Sequence, residues 1–452
     1  MKKMKHDVST RLVKVLNLIL MMVAFGFVWY GYYAARTQVH YYRRGDWVVI
    51  LLFGILYYGF CRSYDAFHIS ISPISEIIYS QTLALIISDF IMYVVIWLLS
   101  LYMPNAVPLL ITFGVQLLIS VLWTFLAHQW YFHNFQLGRT AVIYDLREGM
   151  ESLVGEYGME KKFHIEKVLG VEECLEKLSV LDEMDTVFLS GIHSHERNII
   201  LKYCMYQDIQ VYVIPRIGDV IMGGAKKVHM FHLPMLRIDR YRPIPEYTIA
   251  KRAFDILFSG IAIVIASPFM LVTAIAIKSD GGPALYKQKR LTKDGKEFNV
   301  LKFRSMRVDA EKDGVARLST GDKDDRITPV GKVIRKIRFD ELPQLFNILR
   351  GDMSIVGPRP ERPEIARQYE EEMPEFRLRL QAKAGLTGYA QVYGKYNTTP
   401  YDKLLMDLTY IGTPSLWEDF KICLATVKIL FMPESTEGVA EGATTAMGGE
   451  KH

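Results

Sequence analysis

The sequence predicts an α/β membrane protein. It would combine a four-helix transmembrane bundle, a Rossmann-like α/β module, and a re-entrant helix leading into a mostly helical candidate catalytic domain. Three observations carry this. Half of the 452 residues are hydrophobic, and the excess over a soluble composition lies before Gln129 and between Ala253 and Ile277. Between those stretches, short β-type runs alternate with helix-like ones. After them, a pair of carboxylates stands among separated arginines and lysines.

Residues 1–135 hold four apolar segments, roughly Leu12 to Ala35, Asp46 to Cys61, Ile77 to Tyr102 and Val107 to His128. The third and fourth have about the length that a bilayer core requires, and the second is short. The first contains Lys14 and no small-residue cleavage site follows it, so it does not read as a removed signal. Lys2, Lys3, Lys5 and Arg11 precede it, and Arg36, Arg43 and Arg44 follow it. Arg62 is the one Lys or Arg between the second and third segments, and the last loop has none. This balance sets the N-terminus in the cytoplasm, and four crossings return the chain there. Asp89 falls inside the third segment. A packing or dimer contact is favoured over the functional role that an intramembrane acid suggests by default.

Residues 138–242 read as a parallel, doubly wound sheet. The runs "TAVIYD", "FHIEKVLG", "TVFLSGI" and "IQVYVIP" alternate with "EGMESLVGEYG", "VEECLEKL" and "HERNIILKYCMYQ". The first strand–helix turn, "YDLREG", lacks the glycine fingerprint of a dinucleotide site. A regulatory or assembly module is the reading. The four cysteines show no metal spacing and no disulfide framework. The net charge of +5 is too small to suggest nucleic acid. Basic residues beside apolar segments point to anionic lipid or phosphate instead.

Ala253 to Ile277 is long enough to cross a membrane. Pro268 sits near its middle and removes a helix hydrogen bond. Lys251 and Arg252 precede it, and Lys278, Lys287, Lys289 and Arg290 follow, without the asymmetry of a crossing. A helix that enters, bends at Ser267-Pro268 and leaves on the same side fits both facts. Ser267 can then bond a carbonyl freed by the proline. A fifth, kinked crossing is the alternative.

The last third carries the candidate chemistry. "LYKQKRLTKDGKEFNVLKFRSMR" reads as two strands turning at Asp294-Gly295. Its faces include Lys302 and Arg304. Thr328-Pro329 reads as a helix start, with Arg335 on the helix that follows. "RFDELPQLFNIL" places Asp340 and Glu341 at a helix N-terminus, since Pro343 suits a first turn. Acids there are favoured by the dipole and by free backbone N–H groups, so simple helix-start decoration is one reading. The other is chemistry. "GPRP" presents Arg359 on a rigid turn, and "KAGLTGYAQVYGK" is a glycine-punctuated loop. Arginines bind phosphate in bidentate fashion, and a carboxylate can hold Mg²⁺ against a diphosphate or attack phosphorus.

"KFRSMR", "RFDELPQLFNILRGDMSIVGPRPE" and "AGLTGYAQVYGK" resemble the signature of bacterial sugar transferases, the monotopic phosphoglycosyl transferases. The resemblance covers about Tyr247 to Met432. Residues 1–242 resemble the long form of the family by architecture. It implies that Asp340 attacks the β-phosphate of a UDP-sugar, releasing UMP, and that undecaprenyl phosphate then takes up the phosphosugar. It implies that Glu341, with Asp340, holds Mg²⁺. Arg335 and Arg359 match phosphate-binding positions, and Lys302 and Arg304 a basic motif supporting the pocket. Ser267 and Pro268 match the break of a re-entrant helix, and Lys251 and Arg252 its entry at the lipid headgroups. The implied product is undecaprenyl-diphosphate-sugar, the first membrane step of capsule, exopolysaccharide or O-antigen synthesis. The implied setting is a homodimer in the bacterial inner membrane, with the catalytic domain facing the cytoplasm.

Two departures stand out: Arg338-Phe339 before the acids, where small or aliphatic residues are usual, and Ala384, where proline is common. The tail, 433–452, is polar and rich in small residues and is expected to be disordered. A non-catalytic scaffold of a polysaccharide assembly complex is the rival function. The acid pair with its arginines favours the enzyme, since a scaffold has no use for them.

Overall fold

The computed structural model describes residues 2–37, 44–135, 138–147, 149–279, 281–308, 326–394 and 398–430, with side chains from residue 8 onward in the first segment and 45 onward in the second. The expected disordered tail lies outside them. Contacts divide the chain into two units, Met1–Ile214 and Pro215–His452.

The first unit opens with helices α1 (Lys2–Val28), α2 (Arg44–Ser63), α3 (Ile74–Leu99) and α4 (Val107–Asn134). Each contains or belongs to a segment long and apolar enough to cross a membrane. α1 packs on α2 and α4, α2 on α3, and α3 on α4, so the four close into a ring. Phe25 stacks on Phe53 and Phe53 on Tyr57. Large apolar side chains such as Phe27, Leu98 and Leu118 face outward, and polar side chains pair inside. Tyr57 donates to Asn17 Oδ1 at 2.9 Å, and Ser120 to Gln81 Oε1 at 2.6 Å. That inversion of the soluble pattern suits a hydrocarbon solvent. Asp89 and Gln116 are both buried in the ring.

The α/β part of this unit runs β1 (Gly138–Tyr144), α5 (Met150–Glu156), β2 (Phe163–Gly170), α6 (Val171–Glu176), β3 (Thr186–Ser190), α7 (Ser194–Tyr206) and β4 (Gln210–Val213). The sheet is parallel, in the order β2-β1-β3-β4. Ala141, Ile143, Val187 and Leu189 meet Ile200 and Cys204 of α7 on one face. Val142 and Phe188 meet Val154 of α5 on the other. Alternate residues of each strand thus feed opposite cores, as a doubly wound sheet requires.

The second unit begins with α8 (Ile217–Gly223) and a hairpin of β5 (Lys226–Met230) and β6 (Leu233–Arg237). Residues 215–242, grouped with the α/β module on sequence, therefore fold with this unit. α9 (Pro245–Lys278) follows, then the antiparallel pair β7 (Leu285–Leu291) and β8 (Glu297–Phe303). Asp294 and Gly295 sit at φ 59° and 74°, the left-handed region expected of that turn. Then come α10 (Pro329–Lys336), α11 (Gln344–Arg350), β9 (Ser354–Val356), α12 (Pro363–Glu372), a 3₁₀ segment (Pro374–Gln381), β10 (Gly385–Thr387), α13 (Tyr389–Tyr393), α14 (Pro400–Gly412) and α15 (Leu416–Leu430). Thr328 caps α10 by accepting from Gly331 N.

α9 lies against its own unit along much of its length. Asp255, Ser259, Thr273 and Ile277 are buried. Ala262 and Ile263 pack on Val300, Leu345 and Ile348. Met270 and Ala274 pack on Phe303 and Ile334. The other face, including Val264, Ile265, Val272 and Ile275, is exposed and apolar. The helix is continuous through Pro268, which deprives the Val264 carbonyl of its donor. Ser267 Oγ donates to that same carbonyl at 2.8 Å, so the lost bond is replaced locally.

Candidate active site

α10 ends at Lys336, and Arg338, with a φ of 55°, turns the chain into the next segment. Phe339–Glu341 then form a single 3₁₀ turn, and α11 starts after Pro343. Asp340 and Glu341 therefore stand just ahead of α11, and no side chain caps α11 at Pro343. Three residues per turn sends neighbouring side chains about 120° apart. Phe339 packs edge-on to Phe269 of α9 and joins the Ile277, Phe303 and Ile334 core, which anchors the turn.

Glu341 meets two cations. Lys302 Nζ, on β8, lies 2.8 Å from Glu341 Oε1, and Arg359 Nη2 lies 3.6 Å from the same oxygen. Burial alone would push the Glu341 carboxyl up. The Lys302 ammonium and the Arg359 guanidinium reverse this and hold it well below the usual carboxylate range. For Asp340, burial and the adjacent Glu341 charge push the carboxyl up, with Lys302 and Arg335 pulling partly back. Two neighbouring acids are thereby driven in opposite directions. Arg335 also carries a buried Nη1 with no hydrogen-bond partner among the described residues. A buried unpaired donor is costly, so this atom is suited to an incoming anion.

Buried polar contacts hold these groups in place. Asn347, fully buried on α11, accepts from Leu301 N at 2.9 Å and donates to Asn299 O at 2.9 Å. It thus acts as a short strand partner for the free edge of β8, registering Lys302 against Glu341. Arg359 follows β9, and β9 pairs with β10 in parallel. Gly357, Gly385 and Gly388 are stacked backbone to backbone here. A Cβ on Gly385 would lie 2.2 Å from Gly357 N, and one on Gly388 2.1 Å from Gly357 O. Ala384 donates its N–H to Thr292 Oγ1 at 3.1 Å, a bond that proline lacks the donor to make.

The remaining basic positions fall elsewhere. Arg304 donates Nε to Pro283 O, Nη1 to Met306 O and Nη2 to Ile277 O, so its guanidinium buttresses the C-terminal end of α9. Lys251 and Arg252, read as facing lipid headgroups, are committed within the unit. Lys251 pairs with Asp419 at 2.8 Å. Arg252 donates to the carbonyls of Ile348 and Leu349 at 2.6 and 2.7 Å, a helix end with spare acceptors. The same turn of α9 holds Asp255, which accepts from Ile355 N at 2.9 Å and Ser354 Oγ at 3.1 Å. Asp255 was missed on sequence, although a lone acid four residues before Ser259 in an apolar run marks a polar docking face. Asn347 was missed inside "LPQLFNIL" for the same reason.

Residues 246–433 match the model of the bacterial sugar transferase family. The chain is similar to the UDP-N-acetylgalactosamine-undecaprenyl-phosphate N-acetylgalactosaminephosphotransferase of Aeromonas hydrophila, 40% identical over 51% of this chain and 54% of that protein. It is also 40% identical to a UDP-glucose:undecaprenyl-phosphate glucose-1-phosphate transferase of Caulobacter vibrioides, over 43% of this chain and 74% of the relative. A galactosyl transferase of Streptococcus agalactiae is 41% identical over 41% of this chain and 43% of its own length. The matches thus span from under half to about three quarters of these relatives.

Proposed function

The chain belongs to the bacterial sugar transferase family, and from that premise we propose that it moves a hexose 1-phosphate from a UDP-sugar to undecaprenyl phosphate. The observation that carries the reading is the divergent acid pair, with Glu341 tied to Lys302 and Arg359 while Asp340 is left to react. In its ionised form, an Asp340 oxygen attacks the β-phosphorus, the bond to the bridging oxygen breaks, and UMP leaves. An oxygen of undecaprenyl phosphate then attacks the aspartyl phosphosugar and expels the Asp340 carboxylate, giving undecaprenyl-diphosphate-sugar. One site serves both substrates in turn, with ping-pong kinetics. Arg359 and the unpaired donor of Arg335 suit the diphosphate oxygens, which gain charge as the bond breaks.

Among the described residues, no group of three or more His, Cys, Asp or Glu forms a ready cage for a metal. Mg²⁺ at a diphosphate needs only one or two carboxylates, with phosphate and water completing the shell, and Glu341 with Asp340 fits that need. Bound there, Mg²⁺ would supply charge compensation for the diphosphate.

The membrane arrangement follows from α9. A helix of 34 residues spans about 50 Å, yet residues near both its ends pack on the same unit through Arg252 and Ile277. This supports a helix embedded from one side, with its apolar face in lipid and the acid pair on the cytoplasmic side with the UDP-sugar. The reading includes a homodimer and a place at the first membrane step of a surface polysaccharide. The relatives' names cover N-acetylgalactosamine, glucose and galactose, so the sugar is left open.

The test is UMP release from a panel of UDP-sugars with Mg²⁺ and undecaprenyl phosphate, run beside Asp340→Asn. Release with at least one sugar, abolished in the variant, is expected. An Asn variant that retains wild-type rates would overturn the nucleophile assignment.

A further inference from the structure

Arg359 reaches Glu341 from a turn whose backbone is held at three successive residues. Arg379 Nη2 donates to the Arg359 carbonyl at 2.9 Å. Arg290 Nη1 donates to the Pro360 carbonyl at 3.1 Å. Leu291 N donates to the Glu361 carbonyl at 2.9 Å. Of the two arginines, Arg379 is the more deeply set, at 4% exposure, in the 3₁₀ segment before β10. Its Nε and Nη2 both bond Asp407 Oδ2, at 2.9 and 2.7 Å, and Asp407 is 1% exposed on α14. Its guanidinium also lies over the Phe376 ring, 4.8 Å from the centroid. A planar fork held by the Asp407 carboxylate and a ring, with Glu361 Oε2 a further 3.9 Å from Nη1, has little freedom left. The Arg359 side chain itself is about half exposed. Its direction is therefore set mainly by where its backbone is held.

We propose that Arg379, oriented by Asp407, is a positioning residue that fixes the Arg359 backbone and thereby aims the Arg359 guanidinium at the acid pair. Arg379 reaches the reacting groups only through Arg359. The buried Arg379–Asp407 pair also explains a costly choice. An apolar pair would fill the same space without desolvation, but it could not donate to the Arg359 carbonyl.

For its activity arm the proposal rests on the transferase reading, so the test has a second arm that needs no activity. In the full chain in detergent, hydrogen exchange of the backbone at residues 357–362 is compared between wild type, Arg379→Lys and Asp407→Asn. Faster exchange confined to that turn is expected in both variants, with the Asn variant as the milder change. In parallel, UMP release is measured for Arg379→Lys, Arg359→Ala and the double variant. Arg379→Lys should lower kcat/KM about ten-fold, roughly 1.4 kcal/mol, and add less than about two-fold once Arg359 is gone. A merely structural arginine would cost the same in both backgrounds. That additive result, or unchanged exchange at 357–362 in both variants, would overturn the proposal. Faster exchange in the variants together with a wild-type protein that releases no UMP would count against the transferase reading and leave the backbone role of Arg379 standing.

Discussion

Replacing Lys302 by Met removes the closest cation from Glu341 while keeping most of the side-chain volume. At 2.8 Å, Coulomb attraction at an effective dielectric near 20 is worth about 6 kcal/mol before desolvation is subtracted. Breaking a fully buried pair from one side costs about 3–5 kcal/mol. Here the Lys302 and Glu341 side chains are 22% and 18% exposed, and Arg359 lies 3.6 Å away. Solvent screening therefore lowers the expectation to about 2 kcal/mol. For a unit of this size that is a fall in Tm of roughly 4–8 °C. The pH dependence is the sharper test. Glu341 is held below its ordinary value, so its stabilisation is present above the unfolded pKa of about 4.3 and lost as the pH falls through the folded one. In the variant the buried carboxyl can relieve itself by taking a proton. The Tm gap between wild type and Lys302→Met should be full from neutral pH down to the ordinary glutamate value of about 4.3 and close only as the pH falls below it, towards the depressed folded value. Thermal unfolding of the full chain across that range measures it. A gap that stayed constant with pH, or none at all, would refute the assigned pairing.

Two further outcomes follow from the same geometry. Asp340 must be ionised to attack, and its carboxyl is pushed up by burial and by Glu341. UMP release should therefore fall on acidification at a pH above the ordinary aspartate value of about 3.9; an acid limb at or below that value would count against it. Gly385→Ala would place a Cβ 2.2 Å from Gly357 N, 2.4 Å from Thr387 O and 2.5 Å from Gly357 O. All three are backbone atoms that cannot step aside, so a loss of more than about 3 kcal/mol is expected, read as lowered Tm and folded yield.

The local elements of the second unit were legible because their signals are local. Thr328-Pro329 supplies a cap and a fixed φ, Asp294-Gly295 supplies the left-handed residues of a hairpin turn, and the apolar run after Lys251 has helical length. The acid pair could be located but not explained on sequence, because helix-start decoration and chemistry share one pattern there. In the structure both acids sit in the 3₁₀ turn ahead of Pro343, and Glu341 bonds Lys302, 39 positions away.

Composition and spacing alone determined that this chain has apolar segments of membrane length, a parallel α/β run and an acid pair among arginines. These follow from hydrophobicity and periodicity, which each residue expresses with its near neighbours. Tertiary structure alone decided which cations meet the acids. Lys302 and Arg359 pair with Glu341, while Arg304 is spent on the carbonyls of Ile277, Pro283 and Met306 and Lys251 on Asp419. It also set the supports: Asn347 reaches Leu301 46 positions away, Asp255 reaches Ile355 100 away, and Arg379 reaches Arg359 and Asp407, 20 and 28 away. Charge and hydrogen bonding act through space over a few ångströms, and separation along the chain does not encode that distance.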